Sequence, residues 1–320
     1  MRAVFASTTS TEDPLSGLRV GDLELPPAPA GWQRIRLRTS ALNHHDLFSL
    51  GGLLRDDALP MVLGCDGAGT DDDGREVVVH SVVSSPGWRG DETLDPRRTL
   101  LSEKHPGTFA DYVWVPEGNV VPKPKELSWE EAGCLSTAWL TAYKMLFSVS
   151  PAAPGSTILV QGAAGGVATA LISMASAAGF RVFATGRTEA KRALALELGA
   201  AEVFEPGARL PQRADVVFDS VGAATWSHSL KSLRPGGAIV TCGATSGPNP
   251  PADLNRVFFT QLRVLGSTMG NRDELERLLA FLAATGVRPR IGQVLPLERA
   301  RDGFAAMLAG EVAGKIVFRH

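Results

Sequence analysis

The chain has 320 residues, enough for two domains of ordinary size, each with its own core. Its 32 Lys and Arg against 34 Asp and Glu leave a formal net charge of −2, which argues against an electrostatic grip on nucleic acid. No apolar run approaches membrane-spanning length and the opening MRAVFAS lacks a signal-like apolar core, so the expectation is a cytoplasmic protein with no membrane partner.

The first third reads as short strands. From Gln33 to Ala41, Ile35, Leu37, Thr39 and Ala41 alternate with Arg34, Arg36 and Arg38, a strand with one wet face. Glu76 to Val79 and Tyr112 to Val115 are further strands set among Gly, Pro and Asp turns. The polar stretch from Ser84 to Gly107 reads as a long loop, and the whole as a partly open β-barrel lobe. Val121-Pro122-Lys123-Pro124 is a stiff connector. Ser128 and Glu131 have capping-box spacing, opening a helix that runs through Cys134; Leu140 to Phe147 continues in helical style.

Thr157 to Arg187 organises the rest. An apolar run, Ile158-Leu159-Val160, meets the cluster Gly162-Ala163-Ala164-Gly165-Gly166. Apolar residues then recur at helical spacing (Val167, Leu171, Met174, Ala178), and Val182-Phe183-Ala184 follows. Strand, glycine turn, helix and strand make the first βαβ of a dinucleotide-binding sheet. Glycines let the backbone approach a pyrophosphate, and the starting helix presents unpaired N–H groups and the positive end of its dipole. The spacing is G-x-x-G-G rather than G-x-G-x-x-G, with Ala168 at the third fingerprint position, so context carries the assignment.

That context continues as alternating elements. Glu189 to Leu198 is a helix, a short strand lies near Val203, and Asp215 to Asp219 is a buried strand. Thr225 to Leu233 is a helix, followed by strands at Ala238 to Cys242 and Arg263 to Gly266. Six strands with intervening helices complete a doubly wound α/β sheet. Helices at Asp273 to Ala284 and Leu297 to Leu308, then a strand at Gly314 to Phe318, are expected to return to the first lobe. Cys65, Cys134 and Cys242 are odd in number and widely spaced, so they do not form a disulfide framework.

Taken together, Ala41-Leu42-Asn43-His44-His45-Asp46, Leu63-Gly64-Cys65-Asp66-Gly67-Ala68-Gly69, Gly107 to Val113, Leu140-Thr141-Ala142-Tyr143, the glycine cluster, Leu265-Gly266-Ser267-Thr268 and Gly314-Lys315-Ile316-Val317 resemble a medium-chain dehydrogenase/reductase of the zinc-free quinone-oxidoreductase branch. The resemblance spans nearly the whole chain. It implies a GroES-like catalytic lobe at 1–124, rejoined by 271–320, a Rossmann NADP(H)-binding domain at 125–270, and a cofactor cleft between them. Zinc-dependent relatives hold a catalytic metal with Cys, His and Cys; the matching positions here are Asn43, Cys65 and Cys134. Asn43 is a poor zinc ligand, and no cysteine lies between Ser84 and Gly107 for a structural zinc, so no metal is expected.

The residues expected to touch cofactor are Gly162, Ala164, Gly165, Gly166 and Val167 of the turn, then Ser220, Val221 and Gly222, with Gly243 and Ala244 after the next strand. The resemblance adds Asn43, Thr137, Thr141 and Lys315. Where an NAD-binding site carries an acidic residue, this chain has Gly186, Arg187 and Lys191, which favours NADP(H). The catalytic candidates are Asn43, to hydrogen-bond the acceptor oxygen or the nicotinamide ribose, Thr137 as a second such donor, His44 or His45 to deliver a proton, and Asp46 near them; Asp46 also reads as a helix cap. The expected activity is NADPH-dependent hydride transfer to a quinone or α,β-unsaturated carbonyl, by a homodimer paired through Arg263 to Gly266. A zinc alcohol dehydrogenase and a non-catalytic NADPH-binding regulator are the rival readings.

Overall fold

Alternation around Ile35 builds an eleven-residue strand, Trp32–Leu42. The computed structural model describes residues 1–25 and 27–320, and in it this strand is the spine of the first of two units. That unit comprises residues 1–140 and 270–320; the second comprises 141–269. The division falls later than the expected boundary at 124/125, because residues 125–140 pack with the first lobe. Thr39 Oγ1 donates to Trp129 O at 2.6 Å, and Ser136 Oγ donates to Val79 O.

In the first unit, Trp32–Leu42 pairs antiparallel with Asp66–Thr70, Tyr112–Pro116 and the last strand, Lys315–Arg319. The C-terminal strand thus rejoins the first lobe. Register sets Ala41 opposite both Asp66 and Val317, bringing Asp66, Asn43 and Lys315 to one end of the sheet. Glu76–Val79 and Val120–Pro122 extend one side, and Ile291–Pro296 runs parallel to Lys315–Arg319 on the other. The core beneath gathers Leu42, Leu63, Phe109, Phe304 and Phe318. The Phe109 ring meets Phe318 edge-on at 5.1 Å and Phe304 at 6.2 Å, the arrangement aromatic quadrupoles favour.

Two local expectations change. The polar stretch from Ser84 to Gly107 carries a 3₁₀ turn, Glu92–Leu94, and a short strand, Thr99–Leu100, paired with Val82–Val83. Its polar residues build it: the Asp95 carboxylate takes the Ser85 N–H, the Ser85 hydroxyl and the Arg97 N–H. The helix after Ser128 opens with the expected capping box, but Trp129–Ala132 ends at Gly133, and wide turns at Leu135–Trp139 and Lys144–Val149 flank Leu140–Tyr143. A Cβ at Gly133 would collide with Thr39, so close packing on the sheet requires glycine where the helix ends.

The second unit holds a six-stranded, all-parallel sheet, as expected. Its order is Glu202–Phe204, Arg181–Thr185, Thr157–Val160, Ala214–Asp219, Leu233–Thr241, Arg263–Gly266. Strand order reverses between Thr157–Val160 and Ala214–Asp219, whose carboxyl ends form the switch point where doubly wound sheets bind ligands. Leu159, Phe183, Val217, Leu230 and Ile239 pack one face. Among the described residues no helix is long and apolar enough to cross a membrane.

Candidate active site

At the switch point the glycine turn leaves Val160. Gly162 has φ +79, which only glycine adopts readily, and its N–H donates to Thr185 Oγ1 at 3.2 Å. Gly165 caps the twelve-residue helix Gly166–Ala177 without a side-chain partner for its first N–H groups. A Cβ at Gly165 would meet nothing within 4 Å, so the backbone faces open space where an anionic phosphate can approach. Ala164, Gly166 and Val167 complete this turn. A dinucleotide fits it.

The neighbouring turn is held from below. Asp219 Oδ1 accepts the N–H groups of Val221 and Gly222 at 2.8 and 3.0 Å, and Gly222 has φ +87. Ser220 O accepts from Thr245 N, which draws the Gly243–Ala244 segment alongside. A Cβ on Gly162 would lie 3.3 Å from Val221, so the two turns are adjacent. The buried Ser267 hydroxyl has no partner among the described residues.

Beyond the second strand, Gly186 is followed by exposed Arg187. Thr188 caps the Glu189–Glu197 helix by accepting from Lys191 N at 3.3 Å. Arg192, which the sequence reading did not single out, donates to Gly186 O at 2.8 Å and faces Glu205 at 3.6 Å. Its place next to Lys191, in the first turns of the same helix, was the available signal.

In the first unit, Asn43 stands between the Trp32–Leu42 strand and the short helix His44–Phe48. Lys315 Nζ donates to Asn43 Oδ1 at 2.6 Å, Asp66 Oδ2 at 2.9 Å and Leu42 O at 3.0 Å. Asn43 Nδ2 donates to Asp66 Oδ2 at 2.9 Å and Ala41 O at 3.2 Å. Lys315, Asn43 and Asp66 therefore form one buried cluster, and Asp66 Oδ1 has no partner among the described residues. Asp66 was visible in the GCDGAG run but not marked as a site residue, since its partner arrives from the far end of the chain.

Asp46 is fully buried and both carboxylate oxygens are engaged, by Asn43 N and Gly64 N, each at 2.9 Å. Burial raises its pKa to about 6. It braces the turn that carries Asn43. His44 is exposed, with its ring 6.4 Å from that of Phe48. His45 is enclosed instead: Nε2 lies 2.8 Å from Glu103 Oε1 and Nδ1 lies 3.6 Å from Cys65 Sγ. Burial disfavours its charged form, but the Cys65 sulfur and the Glu103 carboxylate outweigh that and hold its pKa above the ordinary value. Thr137 Oγ1 is buried and unpartnered among the described residues. Thr137 belongs to the first unit, and Thr141, also buried, to the second.

The three positions matching the metal ligands of zinc relatives are each engaged with other partners. Asn43 gives its carbonyl oxygen to Lys315. Cys65 Sγ lies against Leu101 O at 3.2 Å and Ser102 Oγ at 3.4 Å. Cys134 Sγ points to Glu131 O, among Ala41 and Val317, and burial pushes its thiol well above the usual range. Among the described residues no three of His, Cys, Asp and Glu gather as a metal site. These residues do not fit a tetrahedral zinc, which needs three good protein ligands.

Comparison with known proteins places both units. Residues 29–125 match the alcohol dehydrogenase GroES-like domain, and residues 166–284 match the zinc-binding dehydrogenase family. The chain is 30% identical to an alcohol dehydrogenase of Geobacillus stearothermophilus, over 94% of this chain and 96% of that one. It is 31% identical to a 2-methylene-furan-3-one reductase of Solanum lycopersicum, over 88% and 70%. A solved NAD-dependent alcohol dehydrogenase superposes with a TM-score of 0.91 at 35% identity, each chain fully covered. The chain belongs to the medium-chain dehydrogenase/reductase superfamily and is an NAD(P)-dependent oxidoreductase of small molecules.

Proposed function

We propose that the protein reduces a quinone or an α,β-unsaturated carbonyl with NADPH and without zinc. The observation that carries this reading is the locked Asn43 amide, whose oxygen serves Lys315 at the position where zinc relatives present a thiolate. A conjugated acceptor suits such a site, because the developing enolate or hydroquinone anion needs only hydrogen bonds and a proton. The similarity to a 2-methylene-furan-3-one reductase supports that substrate class.

When bound, the nicotinamide supplies the hydride. Gly162, Gly165 and the first turn of the Gly166–Ala177 helix receive its pyrophosphate, with Ser220 to Gly222 and Gly243–Ala244 beside it. Arg187 pairs with the 2′-phosphate, which no carboxylate at Gly186 repels. Thr137, a buried hydroxyl with no partner among the described residues, donates to the acceptor oxygen or the nicotinamide ribose. Lys315 and Asp46 hold Asn43 in place for the same contact. His44 is exposed and, among the described residues, its ring nitrogens carry no hydrogen bond, so it passes a solvent proton to the product.

A second reading, NAD-dependent alcohol oxidation, is favoured by the names of the similar alcohol dehydrogenases. One assay separates them: nicotinamide absorbance after chelator treatment, with NADPH or NADH, against a simple quinone, an enal and an aldehyde. Chelator-resistant NADPH oxidation by quinone or enal is expected. Activity on the aldehyde that chelator abolishes and zinc restores would replace this reading with the second.

We also propose a homodimer paired through the free edge of Arg263–Gly266. Val264 and, on the preceding helix, Leu254, Phe258 and Phe259 are exposed apolar residues there, a surface that pairing would cover.

A further inference from the structure

In the second unit, a cavity of about 350 Å³ lies away from the carboxyl edge of the sheet. Its walls are the loop entering the Ala214–Asp219 strand and the second half of the Ala223–Ser232 helix. Three cations line it, Arg209, Arg213 and Lys231, and no acidic side chain does. Among the described residues none of the three has an ion-pair partner, in a chain whose net charge is negative. Arg213 is held by Nη1, which donates to the carbonyls of Lys231 and Leu233, and among the described residues Nε and Nη2 are unengaged. Unpaired cations facing one concavity make a local positive potential that selects anions. A guanidinium with two open donors is suited to a tetrahedral oxyanion.

His228 also lines this cavity and begins a buried polar chain. Its Nε2 donates to Ala208 O at 2.8 Å, and its Nδ1 accepts from Gln161 Nε2 at 2.9 Å. Gln161 Oε1 accepts from Thr185 Oγ1 at 2.7 Å, and Thr185 Oγ1 in turn accepts the Gly162 N–H. A branch runs from Gln161 Nε2 through Ser229 Oγ to Asp219, which holds the N–H groups of Val221 and Gly222. Both nucleotide-binding turns are thus hydrogen-bonded, through sealed side chains, to one ring in the cavity wall.

We propose that this cavity is a second binding site, for a small phosphate-bearing anion, and that its occupancy is transmitted to the nucleotide-binding turns. An anion that takes the Nε2 proton away from Ala208 O draws the His228 ring outward. Gln161 must then release or follow it, loosening the contacts behind Gly162 and Gly222. The two states differ in a named contact, as coupling between sites requires.

The test begins with protein saturated with NADPH or NADH, whichever it binds more tightly, so that the cofactor site is occupied. Adding inorganic phosphate, against sodium chloride of equal ionic strength, should raise Tm by about 2–4 °C. The variant R209Q/K231Q, in which both altered side chains lack ion-pair partners among the described residues, should keep its Tm in chloride and lose the response; R209Q alone serves if the double variant does not fold. An equal rise in wild type and variant would mean that phosphate binds elsewhere, and the site would be rejected. Glycerol 3-phosphate forms a second arm: a stronger response than phosphate assigns a phosphorylated metabolite, a weaker one the free ion. For the coupling, cofactor affinity is followed by nicotinamide fluorescence. Phosphate should weaken it in wild type by at least about fivefold more than in R209Q/K231Q, where only direct competition remains. Equal weakening would leave the site but remove the transmission. Neither readout depends on which acceptor is reduced.

Discussion

Lys315 and Asp66 form a sealed ion pair, Nζ to Oδ2 at 2.9 Å, with side chains 2% and 0% exposed. Asn43 bonds to both, so a residue of the last strand positions one that caps the short helix His44–Phe48, some 270 positions earlier. Such a pair gives little net stability against a well-packed apolar pair, but removing one partner strands the other charge.

K315M should therefore destabilise the protein by about 3–5 kcal/mol, leaving Asp66 charged in a dry site. The double variant D66N/K315M should recover much of that loss. Urea unfolding of the four proteins of the cycle checks this. A K315M variant as stable as wild type would mean that water reaches the pair.

Gly165 tests the nucleotide turn separately from stability. Its φ of −73 suits any residue and a Cβ would touch nothing, so G165V should fold with a loss of at most about 1 kcal/mol. Its side chain would fill the space left for phosphate, and cofactor affinity should fall at least about tenfold, about 1.4 kcal/mol. Fluorescence titration with NADPH and thermal unfolding together separate the two effects.

Arg187 is exposed and followed by no acidic neighbour until Glu189, so its loss should matter to the 2′-phosphate and little else. R187S should reduce the ratio of kcat/KM for NADPH over NADH by about 10- to 100-fold, the worth of one charged hydrogen bond. An unchanged ratio would shift the phosphate contact to Arg192 or Lys191.

Asp46 gives a pH dependence of defined sign. Burial raises its folded pKa from 3.8 to about 6, so between these values the folded chain binds more proton than the unfolded. Its contribution is fully present below pH 3.8 and is lost as pH rises through 6, by about 3 kcal/mol at most. D46N starts less stable, because an amide cannot accept both backbone N–H groups, but it should lack this component. The gap between wild type and D46N should narrow from pH 4 to pH 7, as read by urea unfolding.

The two-lobed architecture was legible because its signals are local. Alternation around Ile35, the glycine cluster after Val160 and the repeated strand–helix spacing each follow from backbone geometry over about a dozen residues or fewer. The helix after Ser128 was only half legible: its capping box is local, but the glycine at its end is required by Thr39, ninety-odd positions upstream, which leaves no room for a Cβ.

The same contrast divides the candidate site. The parallel nucleotide-binding sheet, the turn that opens it and the polar run Asn43 to Asp46 are all written in local pattern, since periodicity and glycine placement act between near neighbours. Long-range packing alone locks Asn43 to Lys315 and Asp66, seals Asp46 beneath its turn, and links His228 to Gly162 through Gln161 and Thr185. Those contacts depend on strand register and on which polar groups burial forces to find partners. Both arise from the packing of segments tens to hundreds of residues apart, which no local pattern records.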